Sequence, residues 1–496
     1  MAGQRYSGLV ILRSPCLGDR LGGDDFRERV WKKWGRGTEE DMYLRSVLSP
    51  QTLYIPISDM NSVKVKPTMQ CHVVAMPYPG RGHINPMMNL CKVLASKKKD
   101  ILVTFVVTEE WLSFIGSDPK PDNIRFSTIP NSIPSELVRA ADIHSFFEAT
   151  MTKLEAPFVQ LLDQLELPVT VIIVDTVLFW VVDVGNRRNI PVASLWTMSP
   201  SMFTTIQHIQ ADYISVKAEE PVVDTSHDQR AQQRSQRFLF EACSCVTKAQ
   251  YLLLASIYEL ESETIDVLNS QFSFPVYAVG PTIPLLDLEE NMNPGNQNYL
   301  NWLDGQPRSS VLYISMGSFL SISSAQMDEM AIGLHDSGVR FLWVARDETC
   351  RLNEVCGDMG LVVPWCDQLK VLSHSSIGGF WSHCGWNSTK EGMFYGIPFL
   401  TYPIGFDQIH NSELIVEDWK IGWRVKKDVG ADNLVTGVEI AKLVTKFMDL
   451  ESDEMKEIRS KASEVQHICQ RAVVKGGSSE SSINAFIKDL SNCDRY

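Results

Sequence analysis

Residues 71–108 read CHVVAMPYPGRGHINPMMNLCKVLASKKKDILVTFVVT, and their pattern decides the fold. Cys71 to Met76 is a short apolar run with the composition of a buried strand. Pro77 to Gly82 is a turn rich in proline and glycine. From Pro86 to Ser96, Met87, Leu90, Cys91 and Leu94 recur at helical spacing. Ile101 to Thr108 is a second β-rich run. Strand, turn, helix, strand is the repeating unit of a parallel sheet, so the fold class is α/β.

The same alternation continues along the chain. Val169 to Val174 predicts a strand, Leu178 to Asn186 a helix, and Pro191 to Leu195 a strand. Tyr251 to Ala255 extends the series and leads to Tyr277-Ala-Val-Gly-Pro281. Residues 281–298 are polar and rich in Pro, Asn and Gly, the composition of a linker. Beyond it, strands are expected at Ser310–Ser315, Phe341–Ala345, Leu361–Pro364, Ile377–Trp381 and Pro398–Tyr402. Two doubly wound halves facing a cleft are therefore expected, with ligands at the carboxyl ends of the strands. Residues 1–66 show no sustained period, and Met60-Asn-Ser-Val-Lys-Val-Lys-Pro reads like a natural start. A disordered or spurious extension is expected there.

Bulk properties narrow the function. A chain of 496 residues suits two domains, and a net charge of −14 disfavours nucleic acid and anionic lipid as partners. The eleven cysteines form no CxxC or Cys/His metal spacing, as expected for reduced thiols in a cytoplasmic protein with no metal. The most apolar segment, Val169 to Val184, is broken by Asp175 and Asp183, so no integral membrane association is expected.

The densest chemistry runs from Trp365-Cys-Asp-Gln368 through His374, His383-Cys-Gly-Trp-Asn-Ser388 and Glu391 to Asp407-Gln408. A helix is expected over Ser388 to Tyr395, after a strand and a tight turn. Its N-terminus offers free N–H groups to a diphosphate, with His383, Asn387 and Ser388 as further donors. Ser388-Thr-Lys-Glu391 also has the spacing of a capping box, which would serve only to start the helix. Trp365 comes just after a strand end and could stack on a base. In the other half, His83 sits just past the Gly80-Arg-Gly82 turn, where a helix N-terminus disfavours the imidazolium. Asp175 ends a strand that can run beside that of His83. Loop and capping roles are the plain alternatives for these two.

Residues 365–408 resemble the 44-residue signature box of the plant family 1 UDP-glycosyltransferases, without gaps. The wider resemblance spans about Cys71 to Leu490 and includes Tyr313-Ile-Ser-Met-Gly-Ser318 and Gly476-Gly-Ser-Ser479. It implies a GT-B fold of two Rossmann-like domains: an acceptor-binding domain at 67–280, a linker at 281–298 and a donor-binding domain at 299–470. A C-terminal helical segment, 471–496, would pack back on the first domain. The resemblance also implies roles. Trp365 would stack on uracil, and Gln368 and Glu391 would contact the ribose. His383, Asn387, Ser388 and Ser318 would hold the diphosphate. Trp386, Asp407, Gln408 and Thr197 would contact the sugar. His83 and Asp175 would be the catalytic dyad. Trp386 and a terminal Gln408 go with glucose as donor, so a monomeric enzyme making β-glucosides of small hydroxylated apolar acceptors is implied. UDP-glucose is a substrate, and no cofactor is implied.

Three departures from the family pattern stand out. Asp367 replaces a usual proline, and Lys390 replaces a usual apolar residue. Residues 219–237 carry a Gln/Arg-rich run where an acceptor-side loop is usual, which keeps open a catalytically silent UDP-sugar-binding protein. A nicotinamide-dependent enzyme is the other alternative, since Gly80-Arg-Gly82 comes after a strand, but Asn85 stands where that fingerprint needs its third glycine.

Overall fold

The computed structural model describes residues 71–217, 227–284, 298–317, 322–346, 349–356, 359–426 and 434–492. The expectations for residues 1–66 and Ser318, and for most of the linker, lie outside these. Among the described residues no helix is long and apolar enough to cross a membrane.

Among the described residues, thirteen strands form two sheets. The first contains β1 (Cys71–Met76), β2 (Ile101–Thr108), β3 (Ile124–Ile129), β4 (Val171–Asp175), β5 (Val192–Trp196), β6 (Tyr251–Leu254) and β7 (Val276–Ala278), in the order β3-β2-β1-β4-β5-β6-β7. The second contains β8 (Val311–Ser315), β9 (Arg340–Val344), β10 (Gly360–Val363), β11 (Ile377–Ser382), β12 (Phe399–Thr401) and β13 (Gly422–Arg424), in the order β10-β9-β8-β11-β12-β13. Every pairing is parallel. Parallel strands are covered on both faces, which is why they read as unbroken apolar runs. Along β1, Val73 and Ala75 enter one core while Val74 and Met76 enter the other.

The strand orders create one switch point in each sheet. Successive connections leave β1 toward β2 on one side and toward β4 on the other, and β8 and β11 are the equivalent pair. Clefts open outside the carboxyl ends of such pairs. Register sets Met76 beside Val174, and Ser315 beside Ser382. The chain leaves Met76 through the turn that leads to His83, and Asp175 is the residue next to Val174. In the second sheet, Gly317 lies two residues past Ser315, and His383 is next to Ser382.

The helices start and stop slightly differently from expectation. The first runs over Arg81–Lys97, because Gly80 in extended conformation (φ −179°, ψ 142°) serves as its N-cap. His83 is therefore inside the first turn. Pro86 also lies inside this helix. Having no N–H, it leaves the carbonyl four residues back, that of Gly82, without its helical donor. The helix Ser478–Asn492 sends Ile483, Phe486 and Leu490 into the core of the first sheet. Phe486 meets the rings of Tyr251 and Tyr277, and Tyr277 donates to Asp489 at 2.6 Å.

Candidate active site

The first sheet brings His83 and Asp175, 92 residues apart in sequence, to hydrogen-bond distance. His83 Nδ1 lies 2.7 Å from Asp175 Oδ2. The other carboxylate oxygen accepts the Val177 N–H at 3.0 Å, so the carboxylate cannot rotate freely. Asp175 is 1% exposed and the His83 side chain 25%. The imidazole is thus held from behind while its Nε2 edge remains reachable. Thr197, expected at the sugar, lies against this pair. Its Oγ1 is 3.0 Å from His83 Nδ1 and 3.4 Å from Asp175 Oδ2. Tyr78 packs on the His83 ring at 4.9 Å. Beyond it, Phe146, Phe147, Phe238 and Phe179 form a run of ring contacts at 5.9–6.3 Å. Phe238 belongs to the helix His227–Cys245, which takes up the described part of the Gln/Arg-rich segment.

In the second half, the turn after β11 forces Cys384 into a left-handed conformation (φ 65°). The helix then begins at Trp386, two residues before the expected start, with Gly385 as its N-cap. Gly385 has no side chain with which to accept an N–H, so the helix terminus keeps donors for an anion. Ser388 is inside the helix and is not a capping residue. Its hydroxyl accepts from Gln368 Nε2 at 2.9 Å, and Glu391 Oε2 accepts from the same amide at 2.7 Å. Tyr313 OH donates to Gln368 Oε1 at 3.1 Å, which sets the orientation of that amide. Gln368, Ser388 and Glu391 are thus one cluster. Burial pushes the Glu391 carboxyl up to about 7, with Gln368 and Lys390 opposing the shift.

His383 lies against Gly317 and Gly385. A side chain at Gly317 (φ +79°) would put its Cβ 2.5 Å from His383 Nε2, so only glycine fits there. Burial pulls the imidazole down to about 4, keeping it neutral. Its buried Nδ1 has no hydrogen-bond partner among the described residues, as expected of a group awaiting a ligand. Trp365 is 67% exposed on the loop after β10, a flat face available for stacking. His374 is elsewhere, bonded to Ser376 and Asp304.

Of the remaining residues, Asn387 and Trp386 join the two halves. Asn387 Nδ2 donates at 2.9 Å to the Gly82 carbonyl that Pro86 left without a helical partner. The Trp386 indole donates at 2.9 Å to the Ala255 carbonyl, at the end of β6, and is 3% exposed. Asp407 accepts from the Trp386 backbone and, at 2.8 Å, from Asn411. Gln408 Oε1 accepts from the N–H groups of Ile404 and Gly405 at 2.8 and 3.1 Å. The acceptor oxygens of this pair therefore shape the loop, and the Gln408 amide N–H groups are what it can offer a ligand. A cavity of about 260 Å³ lies between the outer face of the Arg81–Lys97 helix and Asn387, Glu391 and Thr282.

Lys390 points away from the cleft's polar cluster. It is 2% exposed and donates to Thr282 Oγ1 at 3.0 Å, where the chain leaves the first half. Burial pulls its ammonium down to about 7, with Glu391 opposing. The unfolded chain keeps that proton until about pH 10.4. Between these values the unfolded state binds more protons, so this group's penalty shrinks as pH rises. Lys390→Met is expected to stabilise the protein at pH 7 by about 1–4 kcal/mol. That advantage should fall by about 2 kcal/mol at pH 9. Urea denaturation at the two pH values checks it, and a constant advantage would count against the assignment.

Comparison with known proteins agrees with this geometry. The family model described as UDP-glucoronosyl and UDP-glucosyl transferase matches residues 241–443. UDP-glycosyltransferase 87A1 of Arabidopsis thaliana is 48% identical over 442 residues, covering 84% of this chain and 99% of that protein. Medicago truncatula UGT71G1, solved in complex with UDP-glucose, is 27% identical with a TM-score of 0.69 over 85% of this chain and 98% of its own. Phytolacca americana UGT2, complexed with UDP-2fluoro-glucose and pterostilbene, is 27% identical with a TM-score of 0.70, covering 85% and 100%. With two Rossmann-like halves in the GT-B arrangement and this degree of identity over nearly the whole length of a relative, the chain belongs to the plant family 1 UDP-glycosyltransferases.

Proposed function

We propose that the protein transfers glucose from UDP-glucose to a hydroxyl of a small apolar acceptor, with inversion, giving a β-glucoside and UDP. The observation that carries this reading is the 2.7 Å contact between His83 Nδ1 and Asp175 Oδ2. It leaves Nε2 as the basic edge. The acceptor hydroxyl gives its proton to Nε2 as its oxygen attacks the anomeric carbon. The bond from that carbon to the UDP oxygen breaks on the opposite face, and Asp175 stabilises the imidazolium. The leaving diphosphate is held by the N-terminus of the Trp386–Phe394 helix with His383, Asn387, Ser388 and Ser318. Trp365 stacks on uracil, and Gln368 and Glu391 hold the ribose. Trp386, through its backbone, and Asp407 and Gln408 face the sugar.

Support for glucose comes from Gln408 at the end of the signature box and from the UDP-glucose bound to the Medicago relative. Support for an apolar acceptor comes from Tyr78 on the His83 ring and the phenylalanines beyond it. This reading invokes no cofactor or metal and places a monomer in the cytoplasm. The test is a panel of UDP-sugars against phenols, flavonoids and terpenoid alcohols, read by product mass spectrometry and anomeric NMR. UDP-glucose should be turned over at least about tenfold faster than UDP-galactose. An α-linked product, or galactose as the faster donor, would overturn the reading.

A further inference from the structure

We infer that His410 is a positioning residue for the transfer, fastening the donor-sugar loop of the second half to the turn that holds the catalytic pair. His410 Nε2 lies 2.8 Å from Ser201 Oγ, across 209 residues of sequence and between the two halves. The same serine hydroxyl donates to Glu261 Oε1 at 2.6 Å, and the Ser201 N–H donates to that oxygen at 3.0 Å. Glu261 Oε2 accepts from Ser256 Oγ at 3.0 Å. Glu261 is 8% exposed and Ser256 1%.

The chemistry gives this chain of bonds one direction. A serine has a single hydroxyl proton, and the short bond to the carboxylate claims it. Its oxygen therefore faces His410 as an acceptor, and the imidazole presents Nε2–H. The trio has the ingredients of a serine hydrolase in the wrong order. The acid touches the serine, no base takes the hydroxyl proton, and no nucleophile is made. What remains is a directional, largely buried clasp.

Each end of the clasp is rigid and short. On one side, Ser201 closes a turn in which the Trp196 indole donates to the Ser199 carbonyl at 2.8 Å and the Met202 N–H donates to Ser199 Oγ at 3.2 Å. That turn begins with Thr197, 3.0 Å from His83 Nδ1. On the other side, His410 is two residues beyond Gln408. Its helix is anchored by Asn411, which donates to the Cys384 carbonyl at 2.9 Å and to Asp407 at 2.8 Å. One hydrogen bond thus ties the loop that faces the sugar to the turn that orients the base. Displacements of about 1 Å between reacting groups can cost about 10²-fold in rate.

The inference rests on the transferase reading of His83 and Asp175, and its test includes a readout that needs no turnover. His410→Leu removes the donor. His410→Gln restores an N–H at a similar reach. In the full-length protein, His410→Leu should lower kcat about tenfold, with KM for the UDP-sugar and the UDP dissociation constant within about twofold of wild type. His410→Gln should recover at least half of the lost rate. With UDP bound, amide hydrogen exchange over residues 197–202 should speed up about tenfold in His410→Leu and return toward wild type in His410→Gln. The proposal is overturned if folded His410→Leu keeps its kcat, if the rate loss is matched by lost UDP affinity, if His410→Gln is as slow as His410→Leu, or if exchange at 197–202 does not change. The exchange result holds whichever sugar is transferred, so failure of the clasp and failure of the glucose assignment can be told apart.

Discussion

Replacing His83 by alanine is expected to lower kcat by about 10³-fold while the UDP dissociation constant stays within about twofold. The imidazole is bonded to Asp175 and Thr197 through Nδ1, so only Nε2 can serve the acceptor. Among the described residues, the ring's hydrogen bonds go to Asp175 and Thr197 and none to the cluster around Gln368, which is assigned to the donor. Without the ring, the acceptor hydroxyl must lose its proton to water during attack. General base catalysis is worth about 10²–10⁴-fold, and a buried partner on Nδ1 places this site in the upper part of that range. Stopped assays for kcat and calorimetry for UDP separate the two effects. If affinity for UDP falls as far as the rate, His83 is a binding residue and the proposed chemistry is wrong.

Asp175→Asn should be nearly as damaging, by about 10³-fold in kcat, although it removes almost no volume. The reason lies in the Val177 N–H, which needs an acceptor from residue 175. An asparagine would turn its carbonyl to Val177 and present its NH₂ to His83. Nδ1 would then have to accept, and the ring proton would move to Nε2, the atom that must be free to take a proton. The ring would keep its place with the wrong tautomer. An Asp175→Asn enzyme within about threefold of wild type would show that the carboxylate does no more than hold its turn.

Much of this architecture is legible in the amino-acid sequence. Alternating apolar runs and helical spacing are local signals, and they locate every strand except β3, β7 and β13 to within about three residues. In β3, Ile124–Ile129, the four middle residues are half-buried or exposed and no unbroken apolar run forms. β13 has only three residues, two of them half-buried. Site residues are legible where they lie at or just past strand ends, as Asp175, Trp365 and Gln368 do, or beside a glycine turn, as His83 does. Their partners are not. Ser388 and Glu391 have capping-box spacing, and only the extended Gly385 moves the helix start early enough to free both for Gln368. Thr197 joins the catalytic pair because β5 lies beside β4, a neighbourhood that no short window contains. The pairing of His410 with Ser201 depends on how the two halves dock, and nothing near either residue announces it.

The helix Ser478–Asn492 supplies Ile483, Phe486 and Leu490 to the sheet that contains β1. A ribosome releases β1 to β7 long before it releases that helix. Throughout translation of the second half, the first sheet therefore carries an apolar face with part of its cover still unmade. Its closure waits for residues 478–492 to emerge, and a message cut short just before them would spoil the first half while every strand of the second half was already complete.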